Sequence, residues 1–171
     1  RCTYFESGSW LKPMNCVTYC EALSFITWLS EEGVESRLPS EVEWMYVAKS
    51  EGRYDYPWGD EAPSCERAQL YSCGRQQPRD ICTLEAGLGS LTESCDLIGN
   101  VREWVADQYK DSYEGAPTNN APVSFNVGAL CDQGVLNSDD ESLRGVTKGG
   151  DWRSTYSSAR PDNRFPTPIN L

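Results

Sequence analysis

The chain contains no histidine. That removes the commonest zinc ligand and the usual general base, and with them His-based triads and His-held iron within this polypeptide. Basic charge is also scarce: 15 Lys and Arg stand against 26 Asp and Glu, a net charge of −11. A chain this acidic repels phosphate backbones, so nucleic acid is not an expected partner. No apolar stretch approaches the ~20 residues of a membrane-spanning helix, and no signal peptide is visible. The first residue is Arg rather than Met, as expected of a mature, processed or partial chain. Hydrophobic residues make up only 39% of the sequence, which leaves few long aliphatic runs to build a core.

Aromatic residues fill that gap. Six Trp and 9 Tyr supply bulky side chains for a loop-rich interior. The 14 Gly and 10 Pro are scattered, which favours an irregular, turn-rich domain over a helical bundle. Eight Cys in 171 residues point to disulfides and an oxidising compartment. The zinc alternative needs close C-x-x-C-like pairs. Cys16 and Cys20 are the only pair so spaced, and they lack a partner pair. Connectivity cannot be read from the sequence, but the short loop between Cys65 and Cys73 makes a local bridge the first expectation.

Two helices are legible. Thr18-x-x-Glu21 has the form of a capping box, in which the Thr hydroxyl accepts an amide proton and the Glu reaches back. Ala22, Leu23, Ile26 and Leu29 follow at helical spacing, and Gly33 is placed to supply a left-handed cap. Ser40-x-x-Glu43 opens a second helix, with Trp44, Val47 and Ala48 facing inward and Lys49-Ser50-Glu51-Gly52 ending it. Short strands are expected at Val101–Val105 and Val146–Lys148. The rest reads as long loops, including an acidic run, Asp139-Asp140-Glu141, that suits a solvated turn and lacks the alternation of an EF-hand loop. Long loops need pinning, by disulfides or a bound cation. Without repeats or a low-complexity linker, residues 1–171 are expected to form a single domain.

Four motifs occur in order: Arg37-Leu38-Pro39-Ser40-Glu41-Val42-Glu43-Trp44, Tyr56-Pro57-Trp58-Gly59, Gly99-Asn100-Val101-Arg102-Glu103-Trp104-Val105-Ala106-Asp107, and Lys148-Gly149-Gly150-Asp151-Trp152. Together they resemble the formylglycine-generating enzyme (sulfatase-modifying factor) family, from about Asn15 to Arg164. The resemblance implies an α+β, C-type-lectin-like domain with two short helices, short antiparallel strands, many long loops and disulfide bracing. It also implies that the family's opening strands and its closing Gly-Phe-Arg strand are not in this chain, so that a second polypeptide completes the sheet or the chain is a fragment. Trp44, Trp58, Trp104 and Trp152 then read as core packing.

Active members of that family oxidise a substrate cysteine to formylglycine with two copper(I)-binding cysteines after the Gly-Gly motif. Thiolates suit copper(I). Here Ser154 and Ala159 stand at those places, and no Cys follows Cys131, so no copper site is expected. The three-His iron branch is excluded for this polypeptide by its lack of His. The family's structural calcium site falls on Asp96, Gly99, Val101 and Glu103, two carboxylates and two backbone carbonyls, a hard oxygen set suited to Ca2+. A second site would begin at Ala68-Gln69-Leu70, where Asn is expected in place of Gln69, with Asp80 as a later ligand; it is not assigned.

The resulting expectation is a catalytically inactive, extracytoplasmic binding or assembly module of bacterial origin. Trp152, Arg153, Ser154, Tyr156 and Arg160 are its candidate binding surface, for a protein or peptide partner. The rivals are an enzyme whose active residues lie outside this chain, and a structural subunit of a larger assembly.

Overall fold

The structure is a computed structural model that describes residues 2–3, 10–123, 131 and 143–170. The acidic run Asp139-Asp140-Glu141 lies outside the described residues. The regular elements are helices α1 (Tyr19–Glu31) and α2 (Glu41–Ala48), 3₁₀ turns at Tyr71–Cys73 and Glu85–Gly87, and strands β1 (Glu103–Gln108), β2 (Arg144–Lys148) and β3 (Phe165–Pro168). The chain clusters into two compact units. One comprises Arg1–Cys16, Glu43–Glu103 and Lys148–Arg164; the other comprises Val17–Val42, Trp104–Thr147 and Phe165–Leu171.

The second unit holds α1 and the sheet. The capping box forms as expected: Glu21 N–H donates to Thr18 Oγ1 at 3.1 Å and Thr18 N–H to Glu21 Oε2 at 2.8 Å. At the other end Gly33 N–H donates to Ser30 O and Val34 N–H to Leu29 O, the paired bonds of a Schellman turn. Tyr19 is the only buried residue of α1. Its ring meets Trp104 edge-on at 5.4 Å, and it joins Ile169, Leu23, Leu38, Cys131 and Leu143 in one apolar cluster. Burial, with the charge of Asp107 added, pushes the Tyr19 phenol up to about 12. Its hydroxyl donates to Ala106 O at 3.2 Å. Asp107 orders two loops at once, accepting from Glu41 N–H at 2.6 Å and Val123 N–H at 2.7 Å.

The strands run in the order β1-β2-β3. β1 starts two residues later than expected and runs on to Gln108, and β2 starts at Arg144 rather than Val146. β3 was not expected, because Phe165-Pro166-Thr167-Pro168 reads against strand formation. It pairs antiparallel with β2, with Pro166 opposite Val146 and Pro168 opposite Arg144. The two prolines are two residues apart, so both turn their missing N–H away from β2, and β3 is at the sheet's edge. The intervening parity donates: Ile169 N–H reaches Leu143 O at 3.3 Å.

The first unit is mostly loop. Its interior is built from Trp44 and Ala48 of α2 together with Tyr56, Ala68, Leu70, Leu97, Ile98 and Ala159. Val47, expected on the inner face of α2, is only half-buried. Trp58 stacks flat on Tyr56 at 5.3 Å, and Lys148, wholly buried, holds its Nζ 5.6 Å from the Trp44 ring. Three disulfides pin these loops: Cys2–Cys16, the expected Cys65–Cys73, and Cys82–Cys95. The fourth, Cys20–Cys131, ties α1 to a distant part of the second unit's chain. All eight cysteines are therefore oxidised, and Cys16 and Cys20 fall in different bridges rather than in a zinc pair.

Candidate functional site

Two loops of the first unit carry the residues singled out in the sequence. The first joins Asp96 to Glu103. Leu97, Ile98, Gly99 and Asn100 are all buried, so the loop passes through the interior. It holds its course by backbone bonds, Gly99 N–H to Gly149 O and Asn100 N–H to Gln69 O, both at 2.9 Å. Only glycine fits at 99: φ is +79°, and a Cβ would stand 2.4 Å from the Gln69 carbonyl oxygen. Asp96 itself sits at φ 58°. The Cys82–Cys95 bridge ends at the preceding residue, and Cys82 N–H donates to Asp96 Oδ2 at 2.8 Å.

At the far end of the loop, Glu103 Oε2 accepts from the Trp44 indole N–H at 2.6 Å. Glu103 is half-buried as a residue, with the burial concentrated at its carboxyl end. That burial drives its pKa from 4.5 up to about 7, against the lowering effect of the Trp44 bond and with a further push from the negative charge of Asp96. The two carboxylates thus feel each other. Among the described residues neither is assigned an ion pair. The result is two carboxylates on a pinned loop, oxygen ligands of the type that hard divalent cations take. The sulfurs of Cys82 and Cys95 also lie within 4.8 Å of the Asp96 carboxylate, but as a disulfide they offer no thiolate ligand.

Gln69 and Asp80, named for the unassigned second site, differ in their surroundings. Gln69 is 1% exposed with its Nε2 unbonded, whereas Asp80 is paired with Lys12 at 3.0 Å.

The second loop follows Gly149-Gly150. A Cβ added to Gly150 would stand 3.1 Å from both Ser154 Oγ and the Ala159 Cβ. Ser154 and Ala159, which the resemblance sets against the family's two cysteines, therefore converge on one interior point. Ser154 is 6% exposed and Ala159 0%. This corrects the expectation that Ser154 belongs to an exposed surface. Its hydroxyl closes the turn instead, accepting from Asp151 N–H at 2.9 Å and donating to Asp151 Oδ1 at 3.2 Å.

The other surface candidates divide. Arg153 and Tyr156 are exposed, and Trp152 is half-buried with the Arg153 guanidinium 5.2 Å over its ring. Arg160 is braced: it lies over the Tyr56 ring at 5.7 Å and within 4.0 Å of Asp55 and 3.8 Å of Asp162. Two participants were missed in the sequence. Asp151 is the hub of the loop, reaching Arg102 at 3.6 Å and Arg153 at 3.3 Å. Tyr71, 68% exposed, is tied in by its N–H to Ser154 O at 3.1 Å. Tyr71 is too far away in the chain for local pattern to connect it with Ser154.

Residues 2–168 match the FGE-sulfatase family, described as the sulfatase-modifying factor enzyme 1-like domain. Hercynine oxygenase of Mycolicibacterium thermoresistibile is 31% identical over 99 residues, covering 56% of this chain and 21% of that protein. Formylglycine-generating enzyme of Mycobacterium tuberculosis is 25% identical over 153 residues, covering 81% of this chain and 45% of that protein. This chain thus spans less than half the length of either relative. The solved structure of PvdO from Pseudomonas aeruginosa superposes with a TM-score of 0.70 at 25% identity, covering 93% of this chain and 57% of that one. The helices, short strands and four bridges fit the irregular, disulfide-braced α+β architecture of formylglycine-generating-enzyme-like and C-type-lectin-like domains. The chain belongs to the FGE-sulfatase, or sulfatase-modifying factor, family.

Proposed function

We propose that this chain is a non-catalytic, extracytoplasmic binding or assembly module on the formylglycine-generating-enzyme scaffold, of bacterial origin. The observation that carries the reading is the packing of Ser154 and Ala159 about one interior point, at the two positions the resemblance sets against that family's thiols. A hydroxyl and a methyl group cannot hold copper(I), and every cysteine of the chain is committed to a bridge. Four disulfides support an oxidising compartment, and the relatives named above come from bacteria. Among the described residues no helix is long and apolar enough to cross a membrane.

The exposed Arg153 and Tyr156, the half-buried Trp152 and the adjoining Tyr71 form the recognition surface for a protein or peptide partner. Aromatic and guanidinium groups on a turn fixed by Asp151 and Ser154 suit that role, because little ordering is left to be done on binding. The proposed structural cation is Ca2+, with Asp96 and Glu103 giving carboxylate oxygens and Gly99 and Val101 giving carbonyls. It would neutralise the carboxylate pair and hold the loop.

The second reading is an enzyme whose active residues lie outside these 171 positions, and the enzymatic relatives favour it. Incubating the intact protein with copper and a cysteine-containing sulfatase peptide, then reading the peptide by mass spectrometry, separates the two. The module reading expects unchanged cysteine. Aldehyde in the product would establish the enzyme reading.

A further inference from the structure

Helix α1 has apolar residues on both of its faces, and among the described residues only one face is accounted for by packing. Tyr19, Ala22, Leu23 and Ile26 turn to the buried or half-buried side. On the other side Phe25 is 57% exposed and Trp28 52%, their rings in contact at 5.7 Å. At 3.6 residues per turn Glu21, Phe25, Trp28 and Glu32 fall in one row about 16 Å long. The aromatic pair is thus bracketed along the helix by carboxylates.

The charge along this stretch of chain has one sign. No Lys or Arg occurs between Lys12 and Arg37, while Glu21, Glu31, Glu32 and Glu35 all do. Glu31 and Glu32 stand at the carbonyl end of α1, where the helix dipole disfavours anions, and the last turn has no basic residue to offset them. Among the described residues Glu31, Glu32 and Glu35 have no ion pair assigned, and all three are exposed. An exposed aromatic pair flanked by carboxylates at the wrong helix end is poorly suited to water alone and well suited to a cationic apolar surface.

We infer that the Glu21–Phe25–Trp28–Glu32 row is a docking face for a cationic amphipathic segment of a partner protein. Phe25 and Trp28 take its apolar side chains, and Glu31, Glu32 and Glu35 take its Lys or Arg residues. A second copy docking helix to helix would set carboxylate against carboxylate. Anionic lipid would be repelled in the same way. This face uses none of the residues of the 151–162 surface, so the inference stands or falls separately from that proposal.

The probe is a synthetic Leu/Lys amphipathic helical peptide, titrated into the isotopically labelled protein and followed by amide chemical shifts, with a Leu/Glu peptide and polylysine as controls. Shifts confined to residues 19–35 are expected for Leu/Lys, with none for Leu/Glu. Polylysine, having charge but no apolar face, is expected to bind at least tenfold more weakly. Phe25→Ser/Trp28→Ser should weaken Leu/Lys binding at least tenfold, and Glu31→Gln/Glu32→Gln about threefold or more, with the unbound spectra showing both variants folded. Equal binding by the Ser variant, shifts spread over the acidic surface, or no binding at all would each overturn the inference. So would concentration-dependent shifts in 19–35 without peptide, which would assign the face to a second copy.

Discussion

Glu103→Gln is expected to lower calcium affinity at least a hundredfold, read by calorimetric titration of the intact chain. The physical reason is the charge balance of the Asp96–Glu103 loop. Burial and the charge of Asp96 hold the Glu103 carboxyl near 7 in the absence of a cation, with Trp44 as its recorded donor. A neutral amide keeps the shape and removes the anion that Ca2+ needs. The same shift fixes the pH behaviour. Its folded pKa is raised above its ordinary 4.5, so the folded state holds the proton more tightly than the unfolded one. In the metal-free chain this contribution to stability is present below about 4.5 and is lost as pH rises through about 7. Calcium must displace that proton, so its affinity is expected to fall roughly tenfold per pH unit below about 7. With calcium a hundredfold above its Kd, the chain should gain about 2.7 kcal/mol against unfolding. A calcium affinity independent of both pH and the substitution would remove Glu103 from the site.

The second large effect concerns the disulfides. In chain-entropy terms a bridge stabilises according to the length of loop it closes. Cys20–Cys131 spans 111 residues and Cys65–Cys73 spans 8. On that scaling Cys20→Ala/Cys131→Ala should cost about 5 kcal/mol and Cys65→Ala/Cys73→Ala about 2.5 kcal/mol. The first is a large share of the 5–15 kcal/mol that typically holds a domain together, and Cys131 also lines the apolar cluster around Tyr19. Denaturant unfolding of the two double variants tests the ranking. Equal losses would mean that native packing, rather than loop closure, sets the contribution of each bridge.

The parts of this fold legible in the sequence are those whose physics is local. The Thr18–Glu21 capping box and the Gly33 turn involve residues three or four apart, and both form as read. The Cys65–Cys73 bridge closes a short loop and was legible for the same reason. β3 was not, because its prolines argue against a strand until its edge position is known. Cys82–Cys95 and the bond from Cys82 N–H to Asp96 cross a segment without periodicity, so nothing in the sequence announced that the Asp96 carboxylate is held there. Asp96 and Glu103 were named through family resemblance, and their electrostatic coupling came only from the fold. Ser154 was placed on the surface because the family resemblance sets the segment 151–162 there and its mix of polar and aromatic residues suits recognition. The structure buries it because Asp151 needs its hydroxyl to close the turn.

The central claim is that this family scaffold has been left without the thiols that make it an oxidase. Copper(I) titration of the intact protein beside its Ser154→Cys/Ala159→Cys variant tests it most directly, since both side chains face one point 3.1 Å away. The account predicts no tight copper(I) binding by the native chain and one equivalent taken up by the double variant. Stoichiometric copper(I) binding by the native chain would contradict it.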